Sequence, residues 1–356
     1  MADEYDDQFI VNIIQVTQMR GPSFAPHTGL THASYRHCRR QVASHREETT
    51  LEIAMDVTEG LLALFMTGVA GIMLSASGQT IVRQFRQGRR LRRILAISAA
   101  GCAAISLALA LCPTPGWVCT VWLLTVTVAL TVLVAVLLTR RISPEPTTSP
   151  RRILALAAHP DDLELACGGT LARLVDTGHE VHAVIMSHGA IGGDASVRPG
   201  EAAAAGTFLG VADVTVHDLP DAHLDLVGRK LIQVIEEAID RVQPHIILTH
   251  SAHDQHQDHH AVHEATLRAA RNHHTILCFE SPSVTREFSP CVFVDISDYV
   301  DVKVQSVLAH QDQASKRYMT ADVIDGIVTF RGRQAKRTRA EGFEAVRMLA
   351  PEAGVF

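Results

Sequence analysis

The chain has 356 residues, of which 47% are hydrophobic and 20% charged, and a formal net charge of −6. That length exceeds what one small domain needs, and the mildly acidic balance excludes the global basic field of a nucleic-acid binder. Seven scattered cysteines without a Cys-x-x-Cys pair exclude a disulfide framework or a cysteine zinc knuckle.

Residues 1–50 are polar, with one apolar run at 9–16 and a basic patch at 36–46. They lack the charged start, apolar core and small-residue cleavage site of a signal peptide. The expectation is a polar, poorly ordered tail over residues 1–59. Residues 60–82 carry no charge and are moderately apolar, while 94–112 and 117–138 are strongly so. Pro113, Thr114, Pro115 and Gly116 between the last two make a turn, so the pair reads as a helical hairpin. The segment 60–141 is thus expected to hold two or three transmembrane helices, the alternative being a hydrophobic soluble helical domain. Arg83, Arg86, Arg89, Arg90, Arg92 and Arg93 precede the hairpin, and Arg140 and Arg141 follow it. The positive-inside rule places both flanks in the cytoplasm. The expectation is an integral membrane protein, in a bacterial inner membrane, with everything after Arg140 cytoplasmic.

Residues 142–152 form a Pro/Ser/Thr linker and the expected domain boundary. Strand-like runs then follow at 153–158, 180–187, 214–217, 245–249, 275–279 and 292–295. Helix-like runs lie at 164–177, 199–209, 226–242, 258–271 and 299–309. This alternation predicts an α/β fold: a Rossmann-like, mainly parallel sheet with helices on both faces. Residues 316–356 read as surface helix and loop, with the basic run 331–339 as a solvated face.

Sixteen of the twenty histidines lie after Arg151. The stretch 154–169, LALAAHPDDLELACGG, ends a strand on His159 and opens a helix at two adjacent carboxylates, Asp161 and Asp162. An aspartate there could merely cap the helix. The glycine pair is not a dinucleotide fingerprint. A second cluster follows the strand ending at Thr249, with His250, His253, Asp254, His256, Asp258, His259, His260 and His263. Both clusters follow strands of one predicted parallel sheet, so the fold can bring them together at its carboxyl edge. Catalytic zinc takes three protein ligands and leaves one position for water. One histidine and one carboxylate from the first turn, with one histidine from the second, complete that set. A carboxylate remains for proton transfer and a histidine for charge stabilisation.

These residues resemble a known family. His159-Pro-Asp-Asp162 with Gly168-Gly-Thr170 is similar to the signature of the zinc-dependent de-N-acetylases called PIG-L or LmbE-like. His256-Gln-Asp-His259 matches the family's second motif, with Gln257 where proline is common. Arg198 and Glu201 resemble its Arg-Glu helix. Leu219-Pro-Asp221, Lys303 and His310-Gln-Asp-Gln313 resemble later positions, with Asp312 where serine is usual. The likeness runs from about residue 152 to 313.

The resemblance implies that His159, Asp162 and His259 ligate Zn2+, although Fe2+ or another divalent ion suits the same donors. It implies Asp161 as the general base for the metal's water, and His256 as oxyanion stabiliser or proton donor to the leaving amine. Asp258 would orient a neighbouring imidazole. Arg198 and Asp221 would hold sugar hydroxyls. The implied activity is removal of an N-acetyl or similar acyl group from a small-molecule or lipid-linked amino-sugar conjugate, with no nucleic acid involved. Alternatives are amide hydrolysis on a non-sugar or glycopeptide substrate, or a non-catalytic metal-binding module. The presence of Asp161 weighs against the last.

Overall fold

The computed structural model describes residues 32–112 and 114–356; residues 1–31 of the expected tail and Pro113 of the expected hairpin turn lie outside the described residues. The chain divides into two compact units. One runs up to Ala70 and resumes over Ile97–Thr131; the other comprises Gly71–Ala96 and Val132–Phe356.

Three long helices, α1 (His32–Leu74), α3 (Gly88–Leu111) and α4 (Gly116–Arg140), surround a short α2 (Gln79–Gln84) in sequence. Residues 32–50, expected to be irregular, are helical because they contain neither proline nor glycine to interrupt α1. The segments Ile53–Leu74, Gly88–Leu111 and Gly116–Arg140 are long and apolar enough to cross a membrane. The first lies upstream of the expected 60–82. Helix α1 stops at Leu74, where Ser75, Ala76, Ser77 and Gly78 turn the chain tightly; a side chain at Gly78 would strike the Met73 carbonyl. Val82, expected within the span, is buried in α2 instead. Within the first unit, Trp122 Nε1 donates to Ser106 Oγ at 2.8 Å.

The second unit is built on a seven-stranded sheet in the order β3-β2-β1-β4-β5-β7-β6. Strands and helices alternate as the pattern predicts: β1 (Arg152–Ala157), α5 (Asp162–Asp176), β2 (Glu180–Ile185), α6 (Arg198–Leu209) and β3 (Asp213–Val216). There follow α7 (Gly228–Val242), β4 (Ile246–Thr249), α8 (Gln257–Ala269), β5 (Ile276–Phe279), β6 (Val292–Asp295), α9 (Val300–Val307), α10 (Ala321–Gln334) and β7 (Ala340–Arg347). Strands β1 to β5 are parallel. The period-2 alternation of β1 sends Ile153, Ala155 and Ala157 to one core and Leu154, Leu156 and Ala158 to the other. Helices α5, α6 and α9 cover the first face, α7 and α8 the second.

Two expectations change here. Residues 340–347, read as surface, form β7, which runs antiparallel between β5 and β6. Its alternation is hidden because two inward positions are glutamates: Glu341 is ion-paired with Lys303 at 2.6 Å, and Glu344 accepts from Ser251 Oγ at 2.5 Å. The segment 142–152 lies against the domain: Ile142 joins the core, and Thr147 N donates to Thr177 O at 2.8 Å.

Because β1 neighbours both β2 and β4, the strand order reverses at β1, and the loops leaving β1 and β4 adjoin at the carboxyl edge. That is the crevice where such sheets bind ligands.

Candidate metal-binding active site

The chain leaves β1 through Pro160, and Asp161 adopts φ +112, a region few residues other than glycine tolerate. That backbone turns two successive carboxylates into the crevice ahead of α5. Further along α5, Cys167 departs from helical geometry (φ −139). The kink frees the amides of Gly169 and Thr170 to donate to Glu341 at 3.1 and 2.7 Å. A side chain on Gly169 would meet Ile296 at 2.8 Å. The glycine pair therefore serves close packing and the Glu341 contact.

The hydrogen bonds around the histidines assign their lone pairs. His159 Nε2 lies 3.0 Å from Asp258 Oδ2 and 3.1 Å from Asp221 Oδ1, so it carries a proton between two carboxylates. That leaves Nδ1, which is 3.4 Å from Asp162 Oδ2. His259 Nδ1 donates to Asp254 Oδ2 at 2.8 Å, which leaves Nε2 at 3.3 Å from Asp162 Oδ1. His250 differs: its Nε2 accepts from Ala158 N at 3.0 Å, so that lone pair is already used. His256 Nδ1 accepts from Asp258 N at 3.2 Å, so its Nε2 is the protonated, donating nitrogen.

Among the described residues, ligand atoms within 4.8 Å of one another occur in three sets: His159, His256 and His259; Asp162, His250 and His259; and His159, Asp221 and Asp258. With those nitrogens set aside, His159 Nδ1 and His259 Nε2 remain, each facing a different oxygen of Asp162, whose Oδ2 also accepts from His159 N at 2.8 Å. Two imidazole nitrogens and a carboxylate fit a divalent ion of the zinc or iron kind.

Asp161 is buried, and its nearest cationic partner is Arg198, 3.5 Å away. Burial and the adjacent Asp162 carboxylate push its pKa up to about 7. Burial opposes the charge on Asp162, yet His259 and His250 hold that carboxyl well below the ordinary range. Burial, with His259 and His159 nearby, lowers His256. The two adjacent carboxyls are thus driven apart, one toward the ligand state and one toward neutral pH.

All eight expected site residues but Asp258 line one open cavity of about 280 Å³, joined by Lys316, Tyr318 and Ile191. Asp258 sits behind it, fully buried, accepting from Ala222 N at 2.7 Å and Leu224 N at 3.0 Å as well as touching His159. Arg198 reaches the cavity, but its guanidinium donates to Gly189 O at 2.6 Å and Pro160 O at 2.8 Å. It therefore braces the Asp161 turn. Asp221 accepts from Ile191 N at 2.6 Å.

Sequence reasoning missed Asp254, which orients His259 and is itself held by Ser281 Oγ and, at 2.6 Å, by Ser283 Oγ. Its five-residue offset from His259 was visible, but the serines come from the turn after β5. Sequence reasoning also did not single out Tyr318 or Lys316, which arrive from the region read as plain surface.

Residues 154–270 match the family model described as PIG-L, GlcNAc-PI de-N-acetylase. An uncharacterized deacetylase, YaiS, of Escherichia coli is 36% identical over 166 residues, covering 45% of this chain and 90% of its own. The chain belongs to the PIG-L de-N-acetylase family. Diacetylchitobiose deacetylase of Thermococcus kodakarensis, also similar to this PIG-L chain, is 27% identical over 197 residues, covering 48% of this chain and 72% of its own. Among solved structures, a conserved protein of Thermus thermophilus superposes with TM-score 0.51 at 24% identity over 56% of this chain and 98% of its own, a likeness of fold.

Proposed function

We propose that this PIG-L protein hydrolyses the N-acetyl amide of an amino-sugar conjugate, using a divalent ion, zinc by preference, held by His159, Asp162 and His259. The observation that carries the reading is that His159 Nδ1 and His259 Nε2 face the two oxygens of Asp162, at 3.4 and 3.3 Å, in a cavity also lined by Asp161, whose nearest cationic partner, Arg198, is 3.5 Å away. The deacetylase names of the relatives support the reaction class, and diacetylchitobiose in one of them supports the sugar.

The bound ion supplies Lewis acidity, which acidifies a water and polarises the amide carbonyl. Asp161 takes the proton of the attacking water, and a pKa near 7 suits a group that must accept a proton and return it. His256 donates from Nε2 to the oxygen that becomes negative, or to the departing amine. Asp258 fixes the ring of His159. Arg198 sets the Asp161 turn and, with Asp221, borders the space for the sugar hydroxyls. The three helices long and apolar enough to cross a membrane would anchor the protein, and the arginines at 83–93 and 140–141 support a catalytic unit on the cytoplasmic side of a bacterial inner membrane.

Acetate release from a panel of N-acetylglucosaminyl conjugates, acylated peptides and non-sugar amides tests this. The expected result is release from the sugar conjugates that chelation abolishes and zinc restores. Release only from the non-sugar amides, or release indifferent to chelation, contradicts it.

A further inference from the structure

The catalytic cavity has a neighbour. His256, which borders it, also lines a second groove of about 460 Å³ between α7 and α8. Helix α8 turns one side to this groove: Gln257, then His260 and Ala261, then Glu264 and Ala265, then Arg268. Those positions recur every three to four residues, so they lie along one face of the helix. From Gln257 to Arg268 they extend about 16 Å. Opposite them stand Leu224 and Asp225 of the turn Leu224–Val227, with Gly228 and Ile232 from the start of α7.

One contact marks the passage between the two spaces. Ala222 adopts φ +61, its amide donates to Asp258 at 2.7 Å, and its carbonyl accepts from Gln257 Nε2 at 3.3 Å. Ala222 borders the catalytic cavity and Gln257 borders the groove. Gln257 is the first residue of α8 and is exposed. Proline, common at this place in the motif, has no such donor.

The groove has a floor of carbon and a rim of polar edges. Leu224 and Ala265 are buried, and Ile232 and Ala261 half-buried. Asp225, Gln257, His260 and Arg268 are exposed along the rim, where Arg268 also pairs with Glu264 at 3.3 Å. A carboxylate, an amide, an imidazole and a guanidinium offer both donors and acceptors to hydroxyl groups. The apolar floor suits the C–H face of a saturated ring. An acyl chain would use none of the polar edges, and a peptide finds no strand edge in a lining made of helices and a turn. The space is open at Gly228, where an added side chain would meet nothing within 4 Å. The catalytic cavity alone, at about 280 Å³, falls just below the range of about 300–1,000 Å³ usual for small-molecule sites, so a conjugate of more than one ring extends beyond it.

Resting on the de-N-acetylase reading above, we propose that the groove between α7 and α8 is a second subsite, which holds a polyhydroxylated ring joined to the acetylated sugar, with Gln257 at the junction. His256 then faces the scissile amide on one side and the linkage to the second ring on the other.

The test uses the full-length, metal-loaded protein and three substrates: the methyl glycoside of N-acetylglucosamine, its octyl glycoside, and a disaccharide whose acetylated sugar carries a second hydroxylated ring. The wild type is expected to favour the disaccharide over the methyl glycoside by about tenfold in kcat/KM, the order that two hydrogen bonds supply. Gly228→Leu puts a side chain into the groove on an ordinary helical backbone (φ −50) and should erase that preference. Gln257→Pro, at a helix position that accepts proline, should reduce it. Thermal unfolding of both variants checks the fold. A wild type indifferent to the second ring, or a preference that survives Gly228→Leu, overturns the proposal. So does a preference for the octyl glycoside that Gly228→Leu removes.

Saturation-transfer NMR of the disaccharide on Asp161→Asn protein, which leaves the sugar intact, separates the subsite from the reaction. Magnetisation is expected to reach the protons of the second ring, and to be lost from them when Gly228→Leu is added. If no substrate releases acetate while the second ring still receives magnetisation, the de-N-acetylase reading falls and the subsite stands. Acetate release with no transfer to the second ring overturns the subsite alone, and absence of both overturns both.

Discussion

Asp254 Oδ2 accepts from His259 Nδ1 at 2.8 Å, and Asp254 is in turn held by Ser281, Ser283 and the amide of His256. This carboxylate decides which nitrogen of His259 faces Asp162. Such partners of a liganding imidazole typically carry about 10- to 100-fold in metal affinity. Asp254→Ala is expected to weaken metal binding by that order in a chelator competition assay while the fold persists. Unchanged affinity would remove Asp254 from the site.

His250 looks like a ligand by proximity, being 3.3 Å from Asp162, but its Nε2 accepts the Ala158 amide. Its replacement should therefore cost stability more than metal. His250→Ala strands a buried amide, a penalty of about 1–3 kcal/mol. Chemical denaturation of the metal-free protein should register that loss, while elemental analysis still finds one ion per chain. Loss of the ion with unchanged stability would make His250 a ligand.

Much of this arrangement can be read from the sequence because its causes are local. The apolar run over β1, the charge-rich turn after it and the second cluster after β4 all announce themselves within a few residues. Their meeting follows from the handedness and order of a parallel sheet. What escapes is what depends on distant pairing. Strand β7 contains Glu341 and Glu344, which look like surface until Lys303 and Ser251 are seen opposite them. The ion pair of Arg83 with Asp176, at 2.7 and 2.6 Å, is likewise hidden, since the two are 93 positions apart and each alone reads as a solvated charge. Arg83, Arg86 and Arg89, read in the sequence as a basic flank, each pair with an aspartate of the sheet-bearing unit.

The Lys303–Glu341 pair is almost wholly buried, at 3% and 2% side-chain exposure. Removing the lysine leaves a carboxylate in the core, for which about 3–5 kcal/mol is the usual penalty. Lys303→Met should lower unfolding stability by that order. The double replacement with Glu341→Gln should recover part of it. Full stability of the single variant would show that water reaches Glu341.

Burial, with Glu341 close by, raises the Cys167 thiol well above its ordinary pKa, and burial, with Glu344 behind it, pushes Cys278 up to about 12. A raised thiol pKa keeps the group protonated and unreactive at pH 8, and both thiols are buried, whereas Cys291 is exposed to the reagent. Maleimide labelling followed by peptide mapping should find Cys291 modified in the folded protein. Cys167 and Cys278 should react only after denaturation. Labelling of either one in the native state would contradict their placement.

The central claim is that His159, Asp162 and His259 grip one ion while Asp161 stays free to move a proton. The most direct measurement is metal content and acetate release on the same preparation of Asp161→Asn. One ion per chain with release reduced by about 100- to 10,000-fold is the result expected of a lost general base. Near-normal release, or loss of the ion along with the activity, would contradict it.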